Sequence, residues 1–287
     1  MKLGLAVDSV ADLPLEYIKK HNLKVTPLHV IFDETDHIED ETFDLDLYYQ
    51  QFVERPLFVV KTSQPSPAAF LKNYEALRDE EYDYIIQITV SSGLSGTYNS
   101  AVQAAQMFEE ENENIPVKVI DTKSASIGER YFTELAIELN DQDIHPDDIV
   151  TALEERVAKV KTYLTLPTLK YLRASGRVST PKFLLGSLLG LKPITYVEKE
   201  HGKNEAIGTA FSMNSGVKKV YNLMTENGTK LAAHYSIAHT NDETIAQKMV
   251  DMIREKQPEV EIRIGRAGST ISAHTGPGAV ALFGLFD

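Results

Sequence analysis

The chain contains no cysteine in 287 residues, which excludes a disulfide framework, a thiolate metal site and a cysteine nucleophile. No apolar run approaches the roughly 18 residues a membrane-spanning helix needs, so no stable membrane insertion is expected. Positive charge is scarce as well. The chain carries 29 Lys and Arg against 42 Asp and Glu, a net charge of −13 at pH 7. Nucleic-acid binding needs a basic surface that releases phosphate counterions, so nucleic acid is not an expected partner. An anionic membrane surface is disfavoured for the same reason. There is no GxxxxGK[ST] phosphate loop. The acidic run DETDHIEDET (residues 33–42) lacks the glycine and glutamate of a calcium-binding loop and reads as a solvated loop or hairpin. No cofactor or metal is expected. The N-terminus MKLGLAVDSV has neither the length nor the cleavage site of a signal peptide and reads as a first strand, so the cytoplasm is the expected compartment.

With 43% hydrophobic and 25% charged residues, the composition is that of an ordinary globular protein. The length favours two domains, placed at 1–160 and 161–287, where the composition shifts. In the first part, strands alternate with helices: Leu3–Val7, Lys24–Phe32, Phe58–Val60, Tyr84–Val90 and Val117–Asp121 read as strands. Helices are expected over 44–53, 68–77, 98–108, 127–139 and 146–160. That alternation implies a parallel sheet covered on both faces. A second α/β domain follows, ending in a strand that runs to His274, a Gly/Pro turn and an apolar terminal segment.

One stretch stands out. YIIQITV (84–90) is an apolar strand, and Tyr98, Ala101, Val102, Ala105 and Phe108 fall at helical spacing. Between them, SSGLSGT (91–97) packs three hydroxyl-bearing serines, two glycines and a threonine into one strand-to-helix turn. The first amides of a helix have no intrahelical acceptor and sit at the positive end of its dipole. Such a turn cradles an anion, with Ser95 as the main hydroxyl. Thr62 and Ser63 occupy the same kind of place: they end one strand just ahead of a helix that Ser66 caps and Pro67 begins. Parallel sheets bind ligands beyond the carboxyl ends of their strands, so the two turns should converge. His274, before the turn Thr275-Gly276-Pro277-Gly278, could donate a hydrogen bond to an anion that favours its protonation. The apolar stretch PKFLLGSLLG (181–190), helical with small residues interspersed, could serve as core or line a long apolar tunnel.

Six motifs, in order and over the whole length, resemble the DegV family of lipid-binding proteins: VDSVADLP (7–14), TSQPS (62–66), SSGLSGTYNSA (91–101), YLRASGR (171–177), GSLLGLKPI (186–194) and HTGPGA (274–279). The resemblance implies a two-domain α/β architecture, a parallel N-terminal sheet flanked by helices plus a second α/β domain, enclosing one long-chain fatty acid between them. It implies that Thr62 and Ser95 hold the carboxylate, aided by N–H groups near Gly96 and by His274. Ser63, Ser92 and Arg177 are further candidates, Arg177 for the headgroup or for partner docking. Phe183, Leu184, Leu188 and Leu189 are the implied lining of the acyl tail. It also implies no catalysis by this chain, which would present the fatty acid to a separate ATP-binding fatty-acid kinase subunit that makes the acyl-phosphate for phospholipid synthesis.

The energetics fit a buried tail. About 0.8 kcal/mol per methylene makes a chain of about fourteen worth on the order of 10 kcal/mol before ordering costs. The carboxylate is the unfavourable part and needs partners. Two other readings of the same residues are a serine hydrolase and a small phosphate- or sugar-binding protein. Gly93-Leu94-Ser95-Gly96-Thr97 departs from the G-x-S-x-G elbow only at its last position, and a helix-start cradle also suits phosphate.

Overall fold

The structure, a computed structural model, describes residues 1–55, 58–179 and 190–286. In chain order the strands are β1 (Leu3–Asp8), β2 (Lys24–Thr26), β3 (His29–Phe32), β4 (Thr35–Ile38), β5 (Lys61–Ser63), β6 (Tyr84–Thr89), β7 (Val117–Asp121), β8 (Val160–Thr165), β9 (Val178–Ser179), β10 (Lys192–Val197), β11 (Asn204–Ala210), β12 (His234–His239), β13 (Glu261–Arg266) and β14 (Val280–Leu285). The helices are α1 (Leu15–Lys20), α2 (Leu45–Glu54), α3 (Pro67–Asp79), α4 (Thr97–Glu111), α5 (Ile127–Asp141), α6 (Pro146–Val157), α7 (Lys170–Ser175), α8 (Met213–Met224), α9 (Glu243–Lys256) and α10 (Ser269–Thr275). They form two compact units: Met1–Phe43 with Thr62–Ala158, and Asp44–Lys61 with Lys159–Asp287.

The first unit is built on a four-stranded sheet of order β2-β1-β6-β7, parallel throughout. Every residue of β1 and β6 is buried, as expected for parallel strands covered on both faces. Helices α3 and α4 pack together on one face, and α5 and α6 lie on the other. Small residues Ala101, Ala104 and Ala105 of α4 share a core with Phe70, Tyr74 and Leu77 of α3. Ser66 caps α3, its hydroxyl accepting from the Ala69 N–H at 3.3 Å, with Pro67 in the first turn. The stretch 24–32 is two strands in two sheets, not one. Pro27 lies at the break, where it supplies no N–H to a ladder. The acidic run forms the β3–β4 hairpin. The strand expected at Phe58–Val60 instead covers Lys61–Ser63, in a small sheet of order β4-β3-β5.

The second unit carries a seven-stranded mixed sheet of order β13-β12-β14-β8-β10-β11-β9, with β12/β13 and β11/β9 parallel and the other pairings antiparallel. Helices α8 and α9 cover one face through Val217, Val220, Met224, Ala246, Met249 and Ile253. A further cluster, Leu164, Leu166, Leu169, Leu172, Ala206 and Ala279, packs α7 against the sheet. A single cut at residue 160 would leave Asp44–Lys61 with the N-terminal part, yet this segment packs with the second unit. Its α2 donates the Tyr48 and Tyr49 hydroxyls to the carbonyls of Ser269 and Ala267, at 3.2 and 2.9 Å. Phe52 sets its ring edge against Tyr171 with centroids 5.7 Å apart. Among the described residues, no helix is long and apolar enough to cross a membrane.

Candidate functional site

Five of the candidate residues lie in the first unit. Thr62 and Ser63 end β5, Thr62 partly buried and Ser63 exposed with its hydroxyl donating to the Gln64 carbonyl at 3.3 Å. Ser92, Ser95 and Gly96 lie in the turn from β6 to α4. Gln64 brings the two segments together. An ideal Cβ on Gly96 would run into the Gln64 side-chain amide, whose nitrogen donates to the Ser100 hydroxyl at 3.1 Å. The glycine is needed for this approach and not for its backbone angles, which any residue can adopt (φ −76°, ψ 4°). Gly96→Ala is expected to displace the Gln64 amide and cost about 1 kcal/mol, the worth of an ordinary hydrogen bond. Denaturant midpoints check this, and the penalty should vanish in a Gln64→Ala background.

The turn is tied from both neighbouring strands of β6. On the β7 side the Ser91 N–H donates to the Ser124 carbonyl at 2.8 Å, and the Ser92 N–H donates to the Asp121 carboxylate at 3.0 Å. Lys123 donates to the Ser92 hydroxyl at 2.9 Å and pairs with Asp121 at 2.9 Å. The Ser92 hydroxyl is thus engaged in fixing the turn. On the β1 side the Val90 N–H donates to Asp8 at 2.8 Å. Within the turn, the Leu94 and Ser95 amides donate to the Ser91 carbonyl at 3.0 and 3.2 Å, and the Gly93 amide donates to the Ser91 hydroxyl at 3.2 Å. The Gly96 N–H, at the N-cap of α4, has no acceptor among the described residues.

Ser95 has a distinctive partner. Its Oγ lies 2.8 Å from the Oγ1 of fully buried Thr97 and accepts the Thr97 N–H at 3.3 Å. A hydroxyl has one hydrogen and two acceptor sites. Thr97 fills one acceptor site through its N–H, and either hydroxyl can donate across the 2.8 Å contact; when Thr97 donates there too, the Ser95 hydrogen is available to a ligand. A partly buried hydroxyl of this kind, one residue from a helix-start amide with no acceptor among the described residues, is chemically suited to receive an anion.

The other two candidates belong to the second unit. Gly176 ends α7 in the left-handed region (φ 72°), turning the chain so that the Arg177 guanidinium donates to the Ser175 carbonyl. His274 was expected at the end of a strand but lies in α10. The alternation of polar and apolar residues in Thr270-Ile271-Ser272-Ala273-His274 mimics a strand. The hydroxyls of Ser272 and Thr275 instead donate back to the Gly268 and Ile271 carbonyls at 2.8 and 2.9 Å, a local pattern that fits a helix. The Tyr171 ring lies where a Cβ on Gly276 would be, which sets the YLRASGR and HTGPGA motifs side by side. Burial, with the Arg177 charge adding to it, pushes the His274 imidazole down to about 4. It is neutral at pH 7 and offers one N–H donor, in place of the charged form expected near an anion. Phe183, Leu184, Leu188 and Leu189 lie outside the described residues.

Sequence reasoning missed Gln64, Asp8, Asp121 and Lys123. Gln64 and Asp8 stand inside the quoted motifs TSQPS and VDSVADLP, the one signal that pointed to them; Asp121 and Lys123 had none beyond their place at a strand end. Among the described residues, no group of three or more His, Cys, Asp or Glu is placed to hold a metal ion.

A family model described as an uncharacterised protein of the DegV family matches residues 2–287. The chain is 31% identical over 289 residues to Protein DegV of Bacillus subtilis, covering all of both chains. The crystal structure of that organism's DegV, described as a fatty acid binding protein, superposes with a TM-score of 0.86 at 29% identity over the full length of both. A DegV family protein of Eubacterium eligens loaded with heptadecanoic acid superposes with a TM-score of 0.87 at 25% identity, covering 99% of this chain and all of the other. These matches run the length of the chain and share its two-unit α/β architecture, so the chain belongs to the DegV family.

Proposed function

We propose that this chain binds a long-chain fatty acid without transforming it, holding the carboxylate at the Ser91–Thr97 turn. The observation that carries the reading is the Gly96 N–H, with no acceptor among the described residues, beside a Ser95 hydroxyl that Thr97 holds through both its N–H and its Oγ1. Gln64, two residues after Thr62, sets its side-chain amide against Gly96 and so braces the Thr62 segment against the same turn. Thr62 supplies a second hydroxyl. His274 is proposed as a further donor to the carboxylate through its neutral N–H, with Arg177 in the same motif group. The related proteins described as fatty acid binding, one of them loaded with a seventeen-carbon acid, support the choice of a carboxylate over a phosphate or sugar.

A bound acid presented this way has its carboxylate next to polar, partly exposed groups, where a second protein can reach it. The family resemblance therefore favours a role as the lipid-carrying subunit of a bacterial fatty-acid kinase, with an ATP-binding partner forming the acyl-phosphate in the cytoplasm. Native mass spectrometry of freshly purified protein tests the binding step. An added mass of about 250–290 Da, removed by solvent extraction, is expected for a chain long enough to be held by its buried methylenes. Protein that carries nothing, and takes up no added palmitate, overturns the reading.

A further inference from the structure

The first unit buries two carboxyl groups that the proposed ligand chemistry does not use. Asp8, the last residue of β1, is 1% exposed and Glu129, in the first turn of α5, is 0% exposed. Asp8 accepts the Val10 N–H through one oxygen at 2.9 Å and the Val90 N–H through the other at 2.8 Å. Val90 stands between β6 and Ser91, so Asp8 grips the chain where the anion-receiving turn begins. The Glu129 carboxyl lies beside that of Asp8, while no N–H or O–H of a described residue reaches either Glu129 oxygen. Two carboxylates have no hydrogen to share, so one of the pair is protonated. Both Asp8 oxygens already accept amide hydrogens, which places the proton on Glu129.

The charged surroundings agree. The groups facing Glu129 are Asp8 from β1, Asp12 from the turn after it and Glu39 from the segment after β4, all acidic. Arg130, the neighbouring cation on α5, pairs with Glu134 at 2.8 Å and is drawn toward Asp12 and Tyr17. Burial first, then these like charges, hold Glu129 well above the usual carboxylate range. Burial also pushes Asp8 up to about 7, against the pull of its two amide partners.

We propose that Asp8 and Glu129 are positioning residues that share one proton and lock Val90, and with it the Ser91–Ser95 turn, in the geometry that receives a carboxylate. The ligand half of this inference rests on the fatty-acid reading above; the proton half does not. An acid that is protonated only when folded makes the folded chain bind more protons than the unfolded one. Stability therefore falls as pH rises above the ordinary glutamate value of 4.5, by up to about tenfold in the unfolding constant per pH unit until the folded group ionises. Glu129→Gln removes this proton and keeps an N–H that can donate to Asp8.

The test compares wild type with Glu129→Gln, Glu129→Ala and Asp8→Asn. Urea unfolding at pH 6 and pH 9 is expected to show Glu129→Gln gaining on wild type by at least tenfold in the unfolding constant as the pH rises. The Val90 amide resonance should follow a different pH profile in wild type and in Glu129→Gln. Palmitate calorimetry should show Glu129→Ala and Asp8→Asn losing tenfold or more in affinity, with Glu129→Gln restoring most of what Glu129→Ala loses. Parallel unfolding curves for wild type and Glu129→Gln, or a Val90 amide indifferent to the substitution, overturn the shared proton. Folded Glu129→Ala and Asp8→Asn that bind palmitate like wild type overturn the positioning role. A wild type that shows the pH signature but binds no palmitate places the failure in the ligand reading instead.

Discussion

Ser95→Ala is expected to weaken palmitate binding roughly 10- to 150-fold, the loss of one hydrogen bond to a charged group worth about 1.5–3 kcal/mol. The Ser95 hydroxyl is held by Thr97 from two directions, through the 2.8 Å contact with its Oγ1 and the 3.3 Å bond from its N–H. This fixes the oxygen, so little rotamer freedom is lost on binding. An alanine removes the donor at the point where a buried carboxylate most needs one. It also strands the buried Thr97 hydroxyl, so a modest drop in stability should accompany the loss of affinity. Thr62→Ala should fall in the same range. If both hydroxyls meet one carboxylate, the double variant will depart from additivity by about 0.5 kcal/mol or more, as contacting residues do. Calorimetry of the four proteins decides the matter. Ser95→Ala binding like wild type places the headgroup elsewhere, and strict additivity separates Thr62 from Ser95.

The local structure around these two residues was legible in the sequence because they stand where local rules are strongest. The Ser66-Pro67 helix start, the apolar strands at Leu3 and Tyr84, and the hydroxyl-rich turn after Val90 each follow from short-range chemistry, and the structure bears out all three. Where period and propensity conflict, local reading failed. Thr270–His274 alternates like a strand, yet its serine and threonine hydroxyls return to carbonyls four residues back and hold a helix. Long-range pairings were out of reach. Nothing near Tyr48 or Tyr49 announces that their hydroxyls will seek the carbonyls of Ser269 and Ala267, so the membership of Asp44–Lys61 in the second unit could not be read. The same holds for Gln64 against Gly96, and for Asp8 and Glu129, 121 residues apart in the chain. Each of these is a contact that only the folded chain creates.

Gly276→Ala is expected to cost about 2–6 kcal/mol of stability. Two independent penalties add. The residue sits at φ 71° and ψ 172°, a region essentially reserved for glycine, where another side chain costs about 1–3 kcal/mol. The new methyl would also lie inside the Tyr171 ring, and forcing atoms into packed space costs about 1–3 kcal/mol more. Neither side yields easily. The Gly276 carbonyl accepts from the Thr240 hydroxyl at 2.7 Å and its N–H donates to the Ser272 carbonyl at 2.8 Å, while Phe52 holds the Tyr171 ring edge-on. Urea midpoints of Gly276→Ala, Tyr171→Ala and the double variant separate the two causes. Removing the ring should recover the steric share, giving a favourable coupling above about 0.5 kcal/mol, and leave the backbone share in place. A Gly276→Ala protein within about 1 kcal/mol of wild type would show that α10 can shift along the sheet at little cost. His274, two residues earlier, would then not be held in one place, and a fixed hydrogen-bond donor at that position would have no structural basis.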